Sequence, residues 1–417
     1  MLQCERAAIF CALVDQQTAL NAGLTPADFS SFDGVALWRV IMNRVTSGEA
    51  VDLVTVISDL GDQYRELVGQ IMTETYSPAN MRAYAKLVRQ EKKRRDLQAI
   101  TAKLDTEGDP DEAAGQALSQ LIELTQTSGT RSMSMADLMS EMVNEIERAQ
   151  ELAKAGETIG VPTGLSALDH TLGGWHRSDL TVVAGRPAVG KTAALLSSAL
   201  GAARKGYRVG VVSAEMSAIQ LAQRAIAGAS GVSGGKIRNG DLSDTDFTAM
   251  TESMNKLAQL PVEILDPDSC RPSDILSQAH VWQAKGLDVL FVDYLQLLKP
   301  DEPDQSRARE VGEMAKQLKA IAKALGLPVV SLAQVSRRCE QRNDKRPVLD
   351  DLRDSGEIEE AADAVVFLYR DAVHDPNADE RRGEMIVAKN RHGPIGGLTV
   401  QYIPHRLMWC DADMAVE

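Results

Sequence analysis

Aromatic residues make up only 4% of the 417 residues, so the interior has to be built from Leu, Ile, Val, Ala and Met. The five cysteines, Cys4, Cys11, Cys270, Cys339 and Cys410, stand alone. No C-x-x-C pair and no histidine at ligand spacing accompanies them, which argues against a disulfide framework and a structural zinc site. No apolar run approaches a membrane span and no basic-then-apolar leader opens the chain, so a cytoplasmic protein without a membrane partner is expected. Positive charge is also short: 45 Lys and Arg against 59 Asp and Glu leave a formal charge of −14. Such a chain does not coat nucleic acid over its whole surface, although a locally basic channel is compatible with it. What is present is an ordinary hydrophobic content of 44%, in a chain long enough for two or three domains.

The most informative stretch runs from Leu180 to Thr192. An apolar, β-branched run suited to a buried parallel strand passes through Gly185 and Gly190 into the helix-forming run Thr192 to Leu200. The residues match G-x-x-x-x-G-K-[ST], and they do so in the strand–loop–helix context that the chemistry needs. Glycines let backbone N–H groups converge on phosphate oxygens, Lys191 places a cation at the β/γ-phosphates, and the Thr192 hydroxyl can ligate Mg2+. The candidate nucleotide cradle is therefore Gly185, Arg186, Pro187, Ala188, Val189, Gly190, Lys191, Thr192 and Ala193, with ATP and Mg2+ as the expected ligands.

Around this stretch the chain divides into three. Residues 1–127 read as an all-α N-terminal domain, with apolar positions at three- and four-residue spacing and an N-cap signal at Thr25-Pro26-Ala27-Asp28. Its basic run Lys86 to Arg95 reads as a solvated helix face, with a nucleic-acid or partner contact as the alternative. A second helix, about Asp111 to Thr125, is expected to fold back as a hairpin. Residues 128–159 read as a linker, Thr127 to Ser132, followed by a helix from Met135 to Lys154 with Leu138, Met142, Ile146, Ala149 and Ala153 on one face. That stripe has to be buried on its own domain or on a neighbouring subunit. From 160 to 417 strands and helices alternate, the pattern of an α/β P-loop ATPase with a parallel sheet. Expected strands are Leu180–Ala184, Arg208–Ser213, Val262–Leu265, Val289–Val292, Val329–Leu332, Ala364–Leu368, Glu384–Ala388 and Leu398–Ile403, the last ones antiparallel.

Phosphoryl transfer to water needs a metal, an oriented water and positive charge on the departing phosphate. Asp293 ends the hydrophobic strand Val289 to Asp293 and is the candidate to act with Thr192 at the metal. Glu215 ends another strand at the same edge and is the candidate for polarising water, while Gln334 is the candidate γ-phosphate sensor. The segment Arg337 to Arg346 is basic in an acidic chain and offers a seat for a polyanion, with a solvated loop as the alternative. Lys389 and Arg391 end a strand before Gly393-Pro394, a rigid mount that suits cations acting on a neighbour's nucleotide.

These residues closely resemble the DnaB-type replicative DNA helicases of bacteria and their phages. The resemblance is carried, in order, by Gly185 to Thr192, Ser213-Ala-Glu-Met216, Val292-Asp-Tyr-Leu-Gln-Leu297, Ser331 to Arg337, Asp344-Lys-Arg-Pro347, Asp351-Leu-Arg-Asp-Ser-Gly356 and Ala388 to Pro394. Val51 to Val56 and Ser77 to Asn80 resemble the family's helical domain. The resemblance implies a RecA-like motor in a homo-hexameric ring with nucleotide sites between subunits and single-stranded DNA through the centre. It implies catalytic roles for Lys191, Glu215, Gln334, Lys389 and Arg391, metal roles for Thr192 and Asp293, and a DNA grip by Arg353, Asp354 and Gly356. Arg337, Arg307 and Arg309 complete the expected DNA contacts. It also implies action on forked DNA, a helicase loader and a primase as partners, a linker helix that docks on the next subunit, and an N-terminal collar.

Asp354 stands where glutamate is more usual, Asp350 where serine is, and Pro300 to Asp304 is acidic, so the DNA grip is expected to be more salt-sensitive than in the family. A RadA-type recombination ATPase also shares Lys389-Asn-Arg391, but its amino-terminal zinc-binding cysteines are absent. A nucleotide-gated scaffold for a primase or loader is the non-enzymatic alternative.

Overall fold

The computed structural model describes residues 1–102, 134–301 and 306–413. Two compact units lie on either side of residue 130. The expected helix at Asp111 to Thr125 and the linker Thr127 to Ser132 lie outside the described residues.

The first unit is helical: Gln3–Val14, Gln16–Ala22, Phe32–Thr46, Leu53–Leu60, Arg65–Thr73 and Met81–Ala102. Side-chain caps fix two of the starts, Ser31 Oγ accepting from Gly34 N at 3.1 Å and Asp52 from Thr55 N at 2.8 Å. The proline signal at Thr25 produces only a single 3-10 turn, Pro26–Asp28. Ile9, Leu37, Trp38, Ile41, Val68 and Ile71 form the buried centre. The basic run does something that neither reading of it anticipated. Arg89 donates to the Ala22 and Gly23 carbonyls, Arg95 to the Asp28 carbonyl, and Lys92 pairs with the Asp28 carboxylate at 3.2 Å. These cations fasten the helix Met81–Ala102 to the turn between the helices Gln16–Ala22 and Phe32–Thr46.

The second unit begins with the helix Met135–Ala155. It is built on nine strands, β1 Leu180–Gly185, β2 Val209–Ser213, β3 Val262–Leu265, β4 Val289–Asp293, β5 Val329–Gln334, β6 Ala364–Tyr369, β7 Arg382–Asn390, β8 Gly396–Ile403 and β9 Met408–Asp411. They lie in the order β3-β2-β4-β5-β1-β6-β7-β8-β9. β3 through β6 are parallel, and β7 to β9 extend the sheet antiparallel.

Both faces of the parallel part are covered, which is why its strands read as continuous hydrophobic runs rather than alternating ones. Val183, Val211, Phe291, Leu332 and Val366 pack on one side with the helix Lys191–Arg204. Val182, Ala184, Val212, Leu290 and Phe367 pack on the other with the helices Pro272–Gln283 and Arg307–Leu325. Because neighbouring residues serve opposite cores, the register fixes which loops meet at each sheet edge. Among the described residues no helix is long and apolar enough to cross a membrane.

Phe291 is fully buried at the middle of β4. Replacing it by alanine is expected to cost the second unit about 3–5 kcal/mol through lost burial and the cavity left behind. Equilibrium urea unfolding should show this as a lower midpoint with an unchanged slope.

Candidate functional site

The loop after β1 bends through two left-handed residues, Ala188 at φ 64° and Gly190 at φ 104°. A non-glycine residue in that region costs about 1–2 kcal/mol, so Ala188 stays there only because its surroundings hold the loop. Val189 beside it is buried in the core and provides one anchor. Trp409 of β9 provides another, its indole N–H donating to the Gly190 carbonyl at 3.0 Å and its backbone N–H to Ser197 Oγ at 3.0 Å. At Gly190 a Cβ would lie 3.0 Å from both the Trp409 indole nitrogen and the Tyr402 ring. Tyr402 is in turn covered by the Arg370 guanidinium, 3.9 Å from its ring centroid. Thus β8 and β9, the last two strands among the described residues, brace the loop that follows β1. Arg186 leans the other way, pairing with Glu340 at 2.7 Å and donating to the Val335 carbonyl at 3.1 Å.

Lys191 and Thr192 open the helix Lys191–Arg204. Thr192 Oγ1 donates to Asp293 Oδ2 at 2.8 Å, which brings the loop's hydroxyl to the carboxylate at the end of β4. Asp293 is 1% exposed, and its second oxygen, Oδ1, is buried without a hydrogen-bond partner. Burial pushes its carboxyl up to about 6; Thr192 opposes this, Glu215 adds to it, and Lys191 and Arg224 oppose it. Burial likewise lowers the Lys191 ammonium, with Glu215 and Asp293 holding it up. A buried carboxylate with an orphaned oxygen beside a hydroxyl is an all-oxygen donor pair, which fits a hard divalent cation such as Mg2+.

Glu215 follows β2 on a turn pinned by Ser213, whose hydroxyl donates to the Met216 carbonyl at 2.7 Å and accepts from its amide at 3.2 Å. The Ala214 amide donates to the Asp293 carbonyl at 2.7 Å, so Glu215 and Asp293 leave the sheet side by side. Gln334 ends β5 opposite Gly185. The Gln296 side chain clasps its backbone, Oε1 accepting from Gln334 N at 3.1 Å and Nε2 donating to Gln334 O at 3.2 Å. Gln296, Trp409 and Arg224 are site residues that sequence reasoning missed. Gln296 lies inside a quoted motif, whereas nothing local marks Trp409.

Lys389 and Arg391 are not near this loop. Lys389 pairs in register with Val365, and Asn390 with Ala364, which is beside Thr181 at the start of β1. The phosphate loop leaves the other end of that strand, about 16 Å away at the usual rise per residue. In this chain the two cations rest on the helix Gly356–Ala361 and on Asp363.

The expected DNA residues are gathered more loosely. Gly356 opens that helix, and Arg353 and Asp354 belong to the preceding 3-10 segment Leu349–Ser355. Arg337 is exposed at the start of the 3-10 turn Arg337–Gln341. That turn is fastened to the 349–355 segment, because the buried Asp351 receives both Arg342 nitrogens, at 3.1 and 2.7 Å, and its carbonyl receives the Ser336 amide. Arg346 pairs through two nitrogens with Glu384. The basic segment is thus partly spent on its own fold, through Arg342 and Arg346, while Arg337 is exposed. Arg307 donates to the Gln296 carbonyl and pairs with Glu310 at 2.7 Å, while Arg309 is exposed. Residues 302–304 of the acidic loop lie outside the described residues.

Known proteins with the same sequence pattern and the same fold decide the family. The DnaB-like helicase C-terminal domain matches residues 160–409, and the DnaB-like helicase N-terminal domain matches residues 1–90. The chain belongs to the DnaB-like helicase family. It is 32% identical to the replicative DNA helicase DnaB of Geobacillus stearothermophilus, over 96% of this chain and 92% of that one. It is 33% identical to the replicative DNA helicase DnaC of Bacillus subtilis (strain 168), over 95% and 91%. A solved DnaB-like replicative helicase, described with its interactions with primase, superposes with a TM-score of 0.74 at 26% identity over 98% of each chain. A solved ATPase domain superposes with a TM-score of 0.64 at 31% identity, covering 68% of this chain and all of that one. The second unit is accordingly a RecA-like ATPase domain, and the helicase is ATP-dependent and of the replicative class.

The raised Asp293 carboxyl has a thermodynamic consequence with a definite sign. A carboxyl that holds its proton more tightly in the folded chain contributes stability at low pH that is lost as pH rises through about 6. Asp293→Asn is therefore expected to raise the melting temperature of the cation-free protein by a few degrees at pH 8, by less at pH 5, and to change it little at about pH 4, where the unfolded carboxyl is also largely protonated. The same variant should lose the stabilisation that Mg2+ gives the wild type, read by calorimetry at pH 8, where the wild-type carboxyl is ionised.

Proposed function

We propose that the helicase works as a homo-hexameric ring in the cytoplasm, moving along single-stranded DNA and separating the duplex at a replication fork, with each ATP held between two subunits. The observation that carries this reading is the separation of the phosphate loop and the Lys389–Arg391 pair to opposite ends of β1. One chain cannot bring both to one nucleotide, but two adjacent chains in a ring can. The exposed apolar residues Leu138, Met142 and Ile146 on the helix Met135–Ala155 supply a face with which one subunit holds the next.

In that arrangement Lys191 and the loop amides bind the β- and γ-phosphates, and Thr192 with Asp293 holds Mg2+. When bound, Mg2+ supplies charge neutralisation on the phosphate oxygens. Glu215 orients the attacking water and accepts hydrogen bonding from it, and Gln334 contacts the γ-phosphate. Lys389 and Arg391 of the adjacent subunit stabilise the charge that develops on it. Gln334 is coupled to the DNA side through two short connections. Gln296 joins its backbone to Arg307, and the turn that follows it is fastened through Arg342 and Asp351 to the segment carrying Arg353 and Asp354. Arg309 and Arg337 add exposed cations to the strand contact. The helical first unit is the surface offered to a primase or a loader, in keeping with the solved relative described with primase.

Strand separation of a forked duplex with the purified protein, Mg2+ and ATP tests the reading. Glu215→Gln should bind nucleotide but lose steady-state turnover by at least ~10²-fold. Mixing Arg391→Ala with Lys191→Ala subunits should restore ATPase activity, because one kind of mixed interface then holds an intact loop and an intact pair of cations. A protein that hydrolyses ATP but never opens a fork, even when pre-assembled on a tail, contradicts the function. Mixed rings without recovery contradict the shared site.

A further inference from the structure

Asp363 lies between β6 and the helix Gly356–Ala361 and is 3% exposed. A carboxylate so buried needs every lone pair satisfied, and here the partners are all specific. Oδ2 accepts from the Leu180 amide at 2.9 Å and from the Lys319 ammonium, and Oδ1 accepts from Arg391 at 2.9 Å. The backbone repeats the link: Asp363 N donates to the Leu180 carbonyl at 2.8 Å, and Arg391 N donates to the Asp363 carbonyl at 3.0 Å. Burial opposes ionisation, but Lys319, the Leu180 amide and Arg391 together hold the carboxyl below its usual range.

The cations that Asp363 serves are also gripped by the end of the helix Gly356–Ala361. Arg391 donates through its second terminal nitrogen to the Glu360 carbonyl at 3.2 Å, and Lys389 donates to the Glu359 carbonyl at 2.5 Å. Carbonyls in the last turn of a helix are free to accept and carry partial negative charge. The guanidinium is thus fixed at two points along one edge while its side chain remains half exposed. A guanidinium carries more N–H donors than these two bonds use. The same six-residue helix begins at Gly356, where the proposed DNA segment ends.

We infer that Asp363 is a positioning residue for the reaction on the adjacent subunit: with the Glu360 carbonyl it holds Arg391 in the pose presented to the neighbour's nucleotide. This rests on the reading of Arg391 as acting in trans. The helix that supplies the second anchor follows directly on the DNA segment, so a shift of that segment moves the mount on which the guanidinium sits.

Asp363→Asn in the full chain tests the inference. It keeps the side-chain shape but replaces the ionised acceptor. The nucleotide-free variant is expected to be cleaved by trypsin after Arg391 several-fold faster than wild type, with cleavage after the exposed Arg65 unchanged. Its kcat for ATP should fall ~10- to 10²-fold, the scale of a misplaced catalytic group, with KM unchanged. Mixing with Lys191→Ala subunits should restore activity, since the fault lies in what the subunit presents and not in its own loop.

A kcat within twofold of wild type, or unchanged cleavage after Arg391, overturns the inference. So does a loss that mixing fails to restore while Arg391→Ala is restored in the same experiment, because the fault then lies in the subunit's own pocket. If Arg391→Ala is not restored either, the trans reading and this inference fall together. Should Asp363→Asn not fold, Arg391→Lys takes its place, because a lysine keeps the charge but has no fork to bridge Asp363 and the Glu360 carbonyl. Turnover near that of Arg391→Ala is then expected, and turnover near wild type overturns the inference.

Discussion

The length of one strand governs this molecule. β1 carries the phosphate loop at its carboxyl end and lies, at its amino end, beside the strand that bears Lys389 and Arg391. Its neighbours β5 and β6 hold it in a parallel register, and the cores on both faces prevent any slip. No side chain reaches about 16 Å along a strand, so a pocket that needs both ends has to be completed by another copy of the chain. In this account assembly and catalysis are therefore one problem.

The two ends handle buried charge in opposite ways. At the carboxyl end Asp293 has one oxygen unpartnered, and burial pushes its carboxyl up to about 6. A site that is costly when empty gains the most from a cation, which is why such groups mark function. At the amino end Asp363 is equally buried but fully partnered, and its carboxyl is lowered. The first arrangement suits a cation, whereas the second is a fixture. Around the loop, Trp409, Tyr402 and Arg370 form a stack from the far end of the chain that holds Gly190 and keeps Ala188 in a conformation it would otherwise leave.

Much of the fold was legible because buried parallel strands announce themselves as short hydrophobic runs. Each of the eight expected strands is present, and most differ from expectation by a residue or two at an end. β9 was missed: Met408 to Asp411 is only four residues long, and the turn before it is marked by a single proline, Pro404. Of the candidate site, placement at the carboxyl edge of the sheet was readable from local context, for the loop after β1, for Asp293 at the end of β4 and for Glu215 just past β2. What sequence could not show are partners distant in the chain. The Trp409 bond to Gly190 spans 219 residues, and the Asp363 bond to Leu180 spans 183. Basic runs were the least legible, since Arg89, Arg95, Arg342 and Arg346 look alike in sequence whether they face solvent, DNA or a carbonyl of their own domain. Their partners turned out to be within the fold.

The most direct measurement is an image of the assembled protein with a non-hydrolysable ATP analogue and single-stranded DNA, at a resolution that shows side chains. The account predicts Arg391 within about 3 Å, hydrogen-bonding distance, of the terminal phosphate held by Lys191 of the adjacent chain. An active assembly in which Arg391 turns to the loop of its own chain, or lies far from every bound nucleotide, would contradict it.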